Sequence, residues 1–250
     1  MNIKLQRYLR AAQQNLRYTY PANSPKVSII CVTKRSDRIE ALIDTIKSQT
    51  QKIDIVSFIT QDYTEEQQQQ LRFGITNGAV VFIEEIPSTD PITLGQRHNR
   101  AMEPIDSGII LVMDDDDIYF PNYVKGQVNF LLRTGASLVF KGDACVTNAD
   151  QTRTGWIIPF KIDAEPQVGA GGSMCFTKEL YDELPFADVA SGYDSMFMQQ
   201  AHLLRKNVRS NDPFNFAVLR GLDDHTWSDP NKITDIGLRL NDVKIADLRL

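Results

Sequence analysis

The chain has 250 residues, 42% hydrophobic and 24% charged, which is enough to bury one sizeable core with at most a small appendage. Its 27 basic and 32 acidic residues leave a formal charge of -5, so the electrostatic footprint needed to wrap a nucleic acid is missing. No apolar stretch reaches the ~20 residues that span a bilayer, and the N-terminus lacks the apolar core and small-residue cleavage site of a secretory signal, so a cytoplasmic location is expected.

In chain order, residues 1–25 read as a basic amphipathic helix and a linker. MNIKLQRYLRAAQQNLRYTY carries Lys4, Arg7, Arg10 and Arg17 with no acid, and Leu5, Tyr8, Leu9, Ala12 and Leu16 fall on one helical stripe. Such a helix either packs on its own domain or offers a peripheral contact to a membrane surface or a protein partner. Pro21 and Pro25 punctuate the join.

From Lys26 onward, short apolar strands alternate with amphipathic helices. VSIICVT (27–33) is a β-branched strand, and RIEALIDTIKSQT (38–50) is a helix with Ile39, Leu42, Ile43 and Ile46 inward. IDIVSFIT (53–60) is the next strand, TEEQQQQLRFG (64–74) a polar-faced helix, and AVVFIEE (79–85) a third strand. LGQRHNRAMEPI (94–105) begins another helix, and GIILVM (108–113) is a fourth strand. Alternation of this kind predicts a doubly wound, mainly parallel sheet with helices on both faces, binding its ligand beyond the carboxyl ends of the strands. The cysteines Cys31, Cys145 and Cys175 are odd in number, far apart and set among apolar or small residues, as reduced core thiols are.

LVMDDDDIYFPNYV (111–124) puts Asp114, Asp115, Asp116 and Asp117 where the fourth strand delivers its side chains to that crevice. Four adjacent carboxylates repel one another, and a folded chain keeps them where a cation or polar ligand offsets the cost, or in a solvated turn. A calcium loop of the EF-hand type fails on spacing, because Ile118 and Tyr119 stand where its Gly and further oxygen ligands are needed. A phosphatase of the haloacid-dehalogenase kind carries its aspartate pair after the first strand of the domain, whereas three strand-helix units come first here.

Through MDDDDIYFPNYV above all, the chain from about 26 to 227 resembles a nucleotide-diphospho-sugar glycosyltransferase of the GT-A fold, close to the large family-two group of inverting enzymes. LGQRHNRAM is similar to the family's segment with a Gly, basic residues and an Asn, matched by Gly95, Arg97 and Asn99, with His98 where a cationic residue is common. AGGSMCFTKEL resembles the strand beside the donor sugar, FADVASGYDSMFM the segment that supplies the catalytic base, and DDHTW a C-terminal motif ending in Trp227. The resemblance implies one GT-A domain over 26–228, with a nucleotide-binding half (26–117), an acceptor-side half (118–228) carrying a small subsheet, and a tail (229–250).

It also implies roles. Asp114 binds the ribose, Asp116 binds Mn²⁺ or Mg²⁺, and Asp115 belongs to the nucleotide-sugar site, with Asp117 nearer the acceptor. Thr33, Gln61 and Asp62 lie where the nucleobase goes, although CVTKRS and TQDYT depart from the usual Pro-Thr start and paired acidic element; each can equally cap a helix. Arg97 and Asn99 suit a diphosphate or a sugar hydroxyl at a helix start, and Gly171 and Gly172 permit close approach of backbone to the sugar or form a bulge. Asp194 is the base, with a helix cap as its competing role and Tyr193 standing where the family has Glu. His225 is a possible further metal ligand. The activity implied is transfer of a sugar from a nucleotide-diphospho-sugar, a UDP-sugar by preference, to a hydroxyl of a glycan or other acceptor, as in polysaccharide biosynthesis. The rivals are a catalytically silent sugar-nucleotide or glycan-binding module, and a sugar-phosphate nucleotidyltransferase, whose Gly-rich loop is absent from TKRSDR.

Overall fold

A computed structural model describes residues 3–19, 24–148, 154–157, 168–220 and 249–250. After helix α1 (Ile3–Arg17), the chain runs β1 (Val27–Thr33), α2 (Ile39–Lys47), β2 (Ile55–Thr60), α3 (Glu65–Gly74), β3 (Val80–Glu85), α4 (Leu94–Met102) and β4 (Ile109–Val112). It continues with β5 (Ile118–Tyr119), α5 (Tyr123–Thr134), β6 (Leu138–Lys141), β7 (Ala144–Asn148) and β8 (Thr154–Ile157). The last elements are β9 (Cys175–Thr177), α6 (Lys178–Glu183), α7 (Tyr193–Leu203), β10 (Val208–Asn211) and β11 (Phe216–Arg220).

The strands form a seven-stranded sheet in the order β10-β6-β9-β4-β1-β2-β3 and a four-stranded one in the order β5-β11-β7-β8. In the large sheet every pairing is parallel except those of β9, which enters antiparallel between β4 and β6. This is the doubly wound, mainly parallel sheet expected, with the smaller subsheet beside it. The large sheet draws β1 to β4 from the first half of the chain and β6, β9 and β10 from the second, so the two halves share one sheet.

Local chemistry accounts for the elements. β1 is covered on both faces: Ile29 and Cys31 pack into the core shared with α2, α3 and α5, and Ile30 into the core shared with α4, α6 and α7. In α2 the buried residues are Ile39, Leu42, Ile43 and Ile46, the stripe of a 3.6-residue period. Thr64 and Thr93 open α3 and α4 with capping boxes closed by Gln67 and Gln96. The glutamine run of α3 is a solvated face, with Leu71 the one buried residue of that helix. All three cysteines are free and buried.

Helix α1 packs on its own domain. Ala12 and the partly buried Tyr8 and Leu9 join a small cluster with Cys145, Phe214 and Ala217. Asn15 is fully buried; its Nδ2 donates to Asn211 Oδ1 at 3.0 Å and Asp212 Oδ2 at 3.2 Å, and its Oδ1 accepts from Arg133 Nη2 at 2.9 Å. Tyr8, Leu9 and Ala12, part of the stripe that offered a membrane or partner contact, are therefore covered by this domain, and Arg7, Arg10 and Arg17 face outward.

Candidate active site

The carboxyl ends of β1 and β4 lie side by side, because β4 pairs with β1 in parallel from Val27 opposite Ile109 to Ile30 opposite Val112. Beyond β4 the chain must turn at once into β5. Tyr119 holds that turn: its hydroxyl accepts from the Asp114 N–H at 2.8 Å and donates to the Gly172 carbonyl at 2.9 Å. The acidic turn is thereby fixed against the two-glycine segment before β9.

The four carboxylates divide into two directions. Asp115 turns toward β1, where Thr33 Oγ1 donates to its Oδ2 at 2.5 Å and Arg35 Nη1 to its Oδ1 at 2.5 Å. Thr33 also exchanges a hydrogen bond of 2.9 Å with the buried Tyr63 hydroxyl. Asp114, Asp116 and Asp117 instead bring one carboxylate oxygen each within 4.8 Å of one another. Asp114, assigned to the ribose on resemblance, thus joins the group able to hold a cation, and Asp117 joins with it while accepting from the Leu219 N–H at 3.2 Å. Arg35 bridges the two sets, its Nη1 lying 3.1 Å from Asp116 Oδ2 as well.

Electrostatics follow from this crowding. Burial drives the Asp114 carboxyl well above the ordinary carboxylate range, and the charges of Asp117, Asp116, Asp115 and Asp194 add to the shift. Burial also raises Asp115, against the opposing pull of Thr33 and Arg35. These groups sit in a field that wants positive charge, and one guanidinium already supplies part of it. Three hard oxygen donors at this spacing fit Mg²⁺ or Mn²⁺.

Gly171 and Gly172 form the floor between this group and the candidate base. A Cβ on Gly172 would lie 2.5 Å from Asp114 Oδ2, and one on Gly171 would lie 2.2 Å from Asp194 Oδ2. Neither position tolerates a side chain without moving a carboxylate. Asp194 is the second residue of α7, after Tyr193; the N-cap position is Gly192. Burial raises the Asp194 carboxyl, while the backbone N–H groups of Ser195 and Asp194 itself oppose the shift.

The LGQRHNRAM helix has more than one job. Gly95 lies against the backbone of 187–189, donating its N–H to Val189 O at 3.1 Å, and a Cβ there would meet Ala187 O at 1.9 Å. Asn99 Nδ2 donates to Phe186 O at 2.9 Å, and its Oδ1 accepts from Phe186 N and Tyr181 Oη at 3.0 Å each, so its amide is committed to the 181–186 turn. Asp188 accepts from Thr93 Oγ1 at 2.7 Å and Gln96 Nε2 at 2.9 Å. Arg97 differs: it is 8% exposed, and its Nη1 is buried with no hydrogen-bond partner among the described residues.

Gln61 donates its backbone N–H to Thr33 O at 2.9 Å. Asp62 is exposed at a φ of 59°, and its Oδ1 accepts from the Ser88 N–H at 2.9 Å, which ties the turn after β2 to the loop after β3. Thr33 is thus brought to the acidic cluster, while Asp62 caps a neighbouring loop. His225 and Trp227 lie outside the described residues. Arg35, Tyr63 and Tyr119 were not singled out in the sequence; only the position of Arg35, two residues past Thr33 at a strand's carboxyl end, carried a signal.

His98 is buried at 2% exposure, and that burial pulls its pKa down from 6.5 to about 4. A histidine whose folded value is depressed holds the fold above its unfolded value and loses that contribution as pH falls from 6.5 toward 4. At about 1.36 kcal/mol per pKa unit the loss reaches roughly 3 kcal/mol. Urea unfolding followed across that interval is therefore expected to show a shallower acid loss in His98→Gln than in the native chain; equal slopes would remove His98 from the acid response.

No family model matches the sequence, and a search of curated proteins finds no match. Solved structures do match. The mannosyltransferase PcManGT from Pyrobaculum calidifontis, in complex with GDP-Man and Mn²⁺, aligns with a TM-score of 0.61 at 15% identity over 89% of this chain and 66% of that one. S. aureus TarS 1-349 in complex with UDP-GlcNAc aligns with a TM-score of 0.60 at 14% identity over 82% of this chain and 61% of that one. The present chain therefore spans less than two thirds of the length of either, and what the two likenesses share with it is the architecture.

Proposed function

We propose that this chain, whose architecture is the GT-A glycosyltransferase fold, is a metal-dependent inverting glycosyltransferase. It takes a sugar from a nucleotide-diphospho-sugar, a UDP-sugar by preference, and passes it to a hydroxyl of a glycan or other acceptor. One observation carries the reading: adjacent glycines leave room for Asp114, a member of the cation-type group, beside Gly172 and for a separate carboxylate, Asp194, beside Gly171. That is the layout a displacement needs, with charge compensation on the leaving side and a proton acceptor on the attacking side.

Asp114, Asp116 and Asp117 would hold the cation, which when bound supplies Lewis-acid compensation of the charge that grows on the diphosphate. Arg97 on α4, whose buried Nη1 has no hydrogen-bond partner among the described residues, is suited to a diphosphate oxygen. Thr33, at the end of β1, and Asp115, which accepts its hydroxyl hydrogen from beyond β4, are suited to the nucleoside side of the site. Asp194 takes the proton of the acceptor hydroxyl as its oxygen bonds to the anomeric carbon; the bond from that carbon to the diphosphate oxygen breaks, and the nucleoside diphosphate carries away the electron pair. Attack opposite the leaving group inverts the anomeric centre. A carboxylate whose proton affinity burial has raised is a better base near neutral pH than an ordinary one.

PcManGT holds GDP-Man and TarS holds UDP-GlcNAc, so the test is a thermal-shift screen of UDP, GDP, UDP-GlcNAc and GDP-Man, each with and without Mn²⁺. A ligand at 100 times its dissociation constant stabilises the fold by ~2.7 kcal/mol. The expected result is a Mn²⁺-dependent rise in midpoint with at least one of the four; no shift with any would overturn the reading.

A further inference from the structure

We propose that His98 and Tyr193 are a positioning pair that sets the orientation of Asp194. The inference rests on the transfer reading given above, and neither residue touches a reacting atom.

The bonding pattern assigns the protons. His98 Nδ1 lies 2.9 Å from the Leu94 carbonyl, which can only accept, so Nδ1 carries the hydrogen. Nε2 is then a bare acceptor, and the Tyr193 hydroxyl, 2.8 Å away, donates to it. The two rings also stack, with centroids 4.1 Å apart at 27°, and Phe186 closes on both, edge-on to His98 at 5.7 Å and to Tyr193 at 5.4 Å. Both residues are buried, at 2% and 6% exposure.

Tyr193 is the first residue of α7, and the next is Asp194. Successive side chains on a helix are offset by a fixed rotation, about 100° at 3.6 residues per turn, so anchoring Tyr193 sets how α7 is turned about its axis. That turn decides where the Asp194 carboxylate points. A ring that only filled the core would hold α7 by area alone; the hydroxyl-to-imidazole bond adds a direction. The segment leading in is already fastened to α4 by Gly95 to Val189, by Thr93 and Gln96 to Asp188, and by Asn99 to Phe186. The His98–Tyr193 bond is the last of these ties before the base.

Tyr193→Phe tests it, since the ring and its stacking remain and only the hydroxyl is lost. Turnover is read as UDP release from UDP-GlcNAc, or GDP release from GDP-Man, at saturating donor with Mn²⁺ and an acceptor panel. We expect a fall of tenfold or more, with calorimetric affinity for UDP or GDP and Mn²⁺ unchanged within twofold. In an Asp194→Asn background the same change should cost no more than a further twofold, because a positioning effect disappears with the group it positions. Turnover within twofold of native, or a loss that adds in full to Asp194→Asn, would overturn the pair. Imidazole ¹⁵N spectra of the native chain test the bond without any donor: the expected signature for His98 is a protonated Nδ1 and a bare Nε2, with Nε2 shifting in Tyr193→Phe. A protonated Nε2 with nucleotide binding intact sinks this inference alone, whereas no nucleotide binding in the native chain sinks the transfer reading beneath it.

Discussion

Asp116→Ala is expected to remove Mn²⁺-dependent nucleotide binding, on the order of 100-fold or more in affinity, while the fold persists. Losing even a group that only orients a metal ligand costs 10- to 100-fold in affinity, so losing a ligand should cost at least the upper figure. Asp116 contributes an oxygen to the three-carboxylate group and is the member that also touches Arg35, 3.1 Å away. Its removal leaves only two of the three oxygen donors in that group, too few to hold a divalent cation strongly. The fold should tolerate the change, because it removes one of several mutually repelling charges that raise Asp114. Calorimetry of UDP and GDP with Mn²⁺ gives the comparison, and circular dichroism confirms the fold. Unchanged Mn²⁺-dependent affinity would return the four aspartates to the status of an acidic turn.

Asp194→Asn is expected to keep donor and metal affinity and to lose turnover by 10² to 10⁴, the usual cost of removing a general base. The substitution is nearly isosteric, and an amide oxygen can still accept from the Ser195 N–H that the carboxylate engages. The cap of α7 is unaffected, since that position belongs to Gly192. A pure packing role for Asp194 therefore predicts near-native turnover, and the two outcomes lie far apart. The pH profile separates them again: burial raises the Asp194 carboxyl, so the acid limb of native activity should lie above the ordinary carboxylate value of about 3.9, and it should vanish in the Asn variant. Near-native turnover with unchanged donor affinity would dismiss Asp194 from the chemistry and direct the search for a base to Asp117 of the three-carboxylate group. Asp188 is less suited, being held by Thr93 and Gln96.

What the sequence determined by itself was whatever depends on the order of neighbours along the chain. The β-branched run of β1, the stripe of α2 and the placing of Asp114 to Asp117 just past β4 all follow from residue type and periodicity along the chain. The alternation of those elements was enough to give a parallel sheet and the end of it at which the site had to lie. β9 escaped the same reasoning: three residues, Cys175–Thr177, are too few to show a period, and its antiparallel entry between β4 and β6 is a property of the assembled sheet.

Tertiary structure decided which side chains share a site and which only hold it. Arg97 and Asn99 look alike in LGQRHNRAM, yet Asn99 is consumed by Tyr181 and Phe186, more than eighty positions along, and Arg97 keeps a buried nitrogen with no hydrogen-bond partner among the described residues. Arg35 reaches Asp115 and Asp116 across a similar gap, and no local pattern announces that meeting. The stripe of α1 would serve a membrane or a core equally well; Asn129, Arg133 and Asn211 settle it, because they present the groups that buried Asn15 needs. Periodicity records whether a side chain faces inward, whereas the identity of what it meets is set by strand order and register, which only the folded sheet contains.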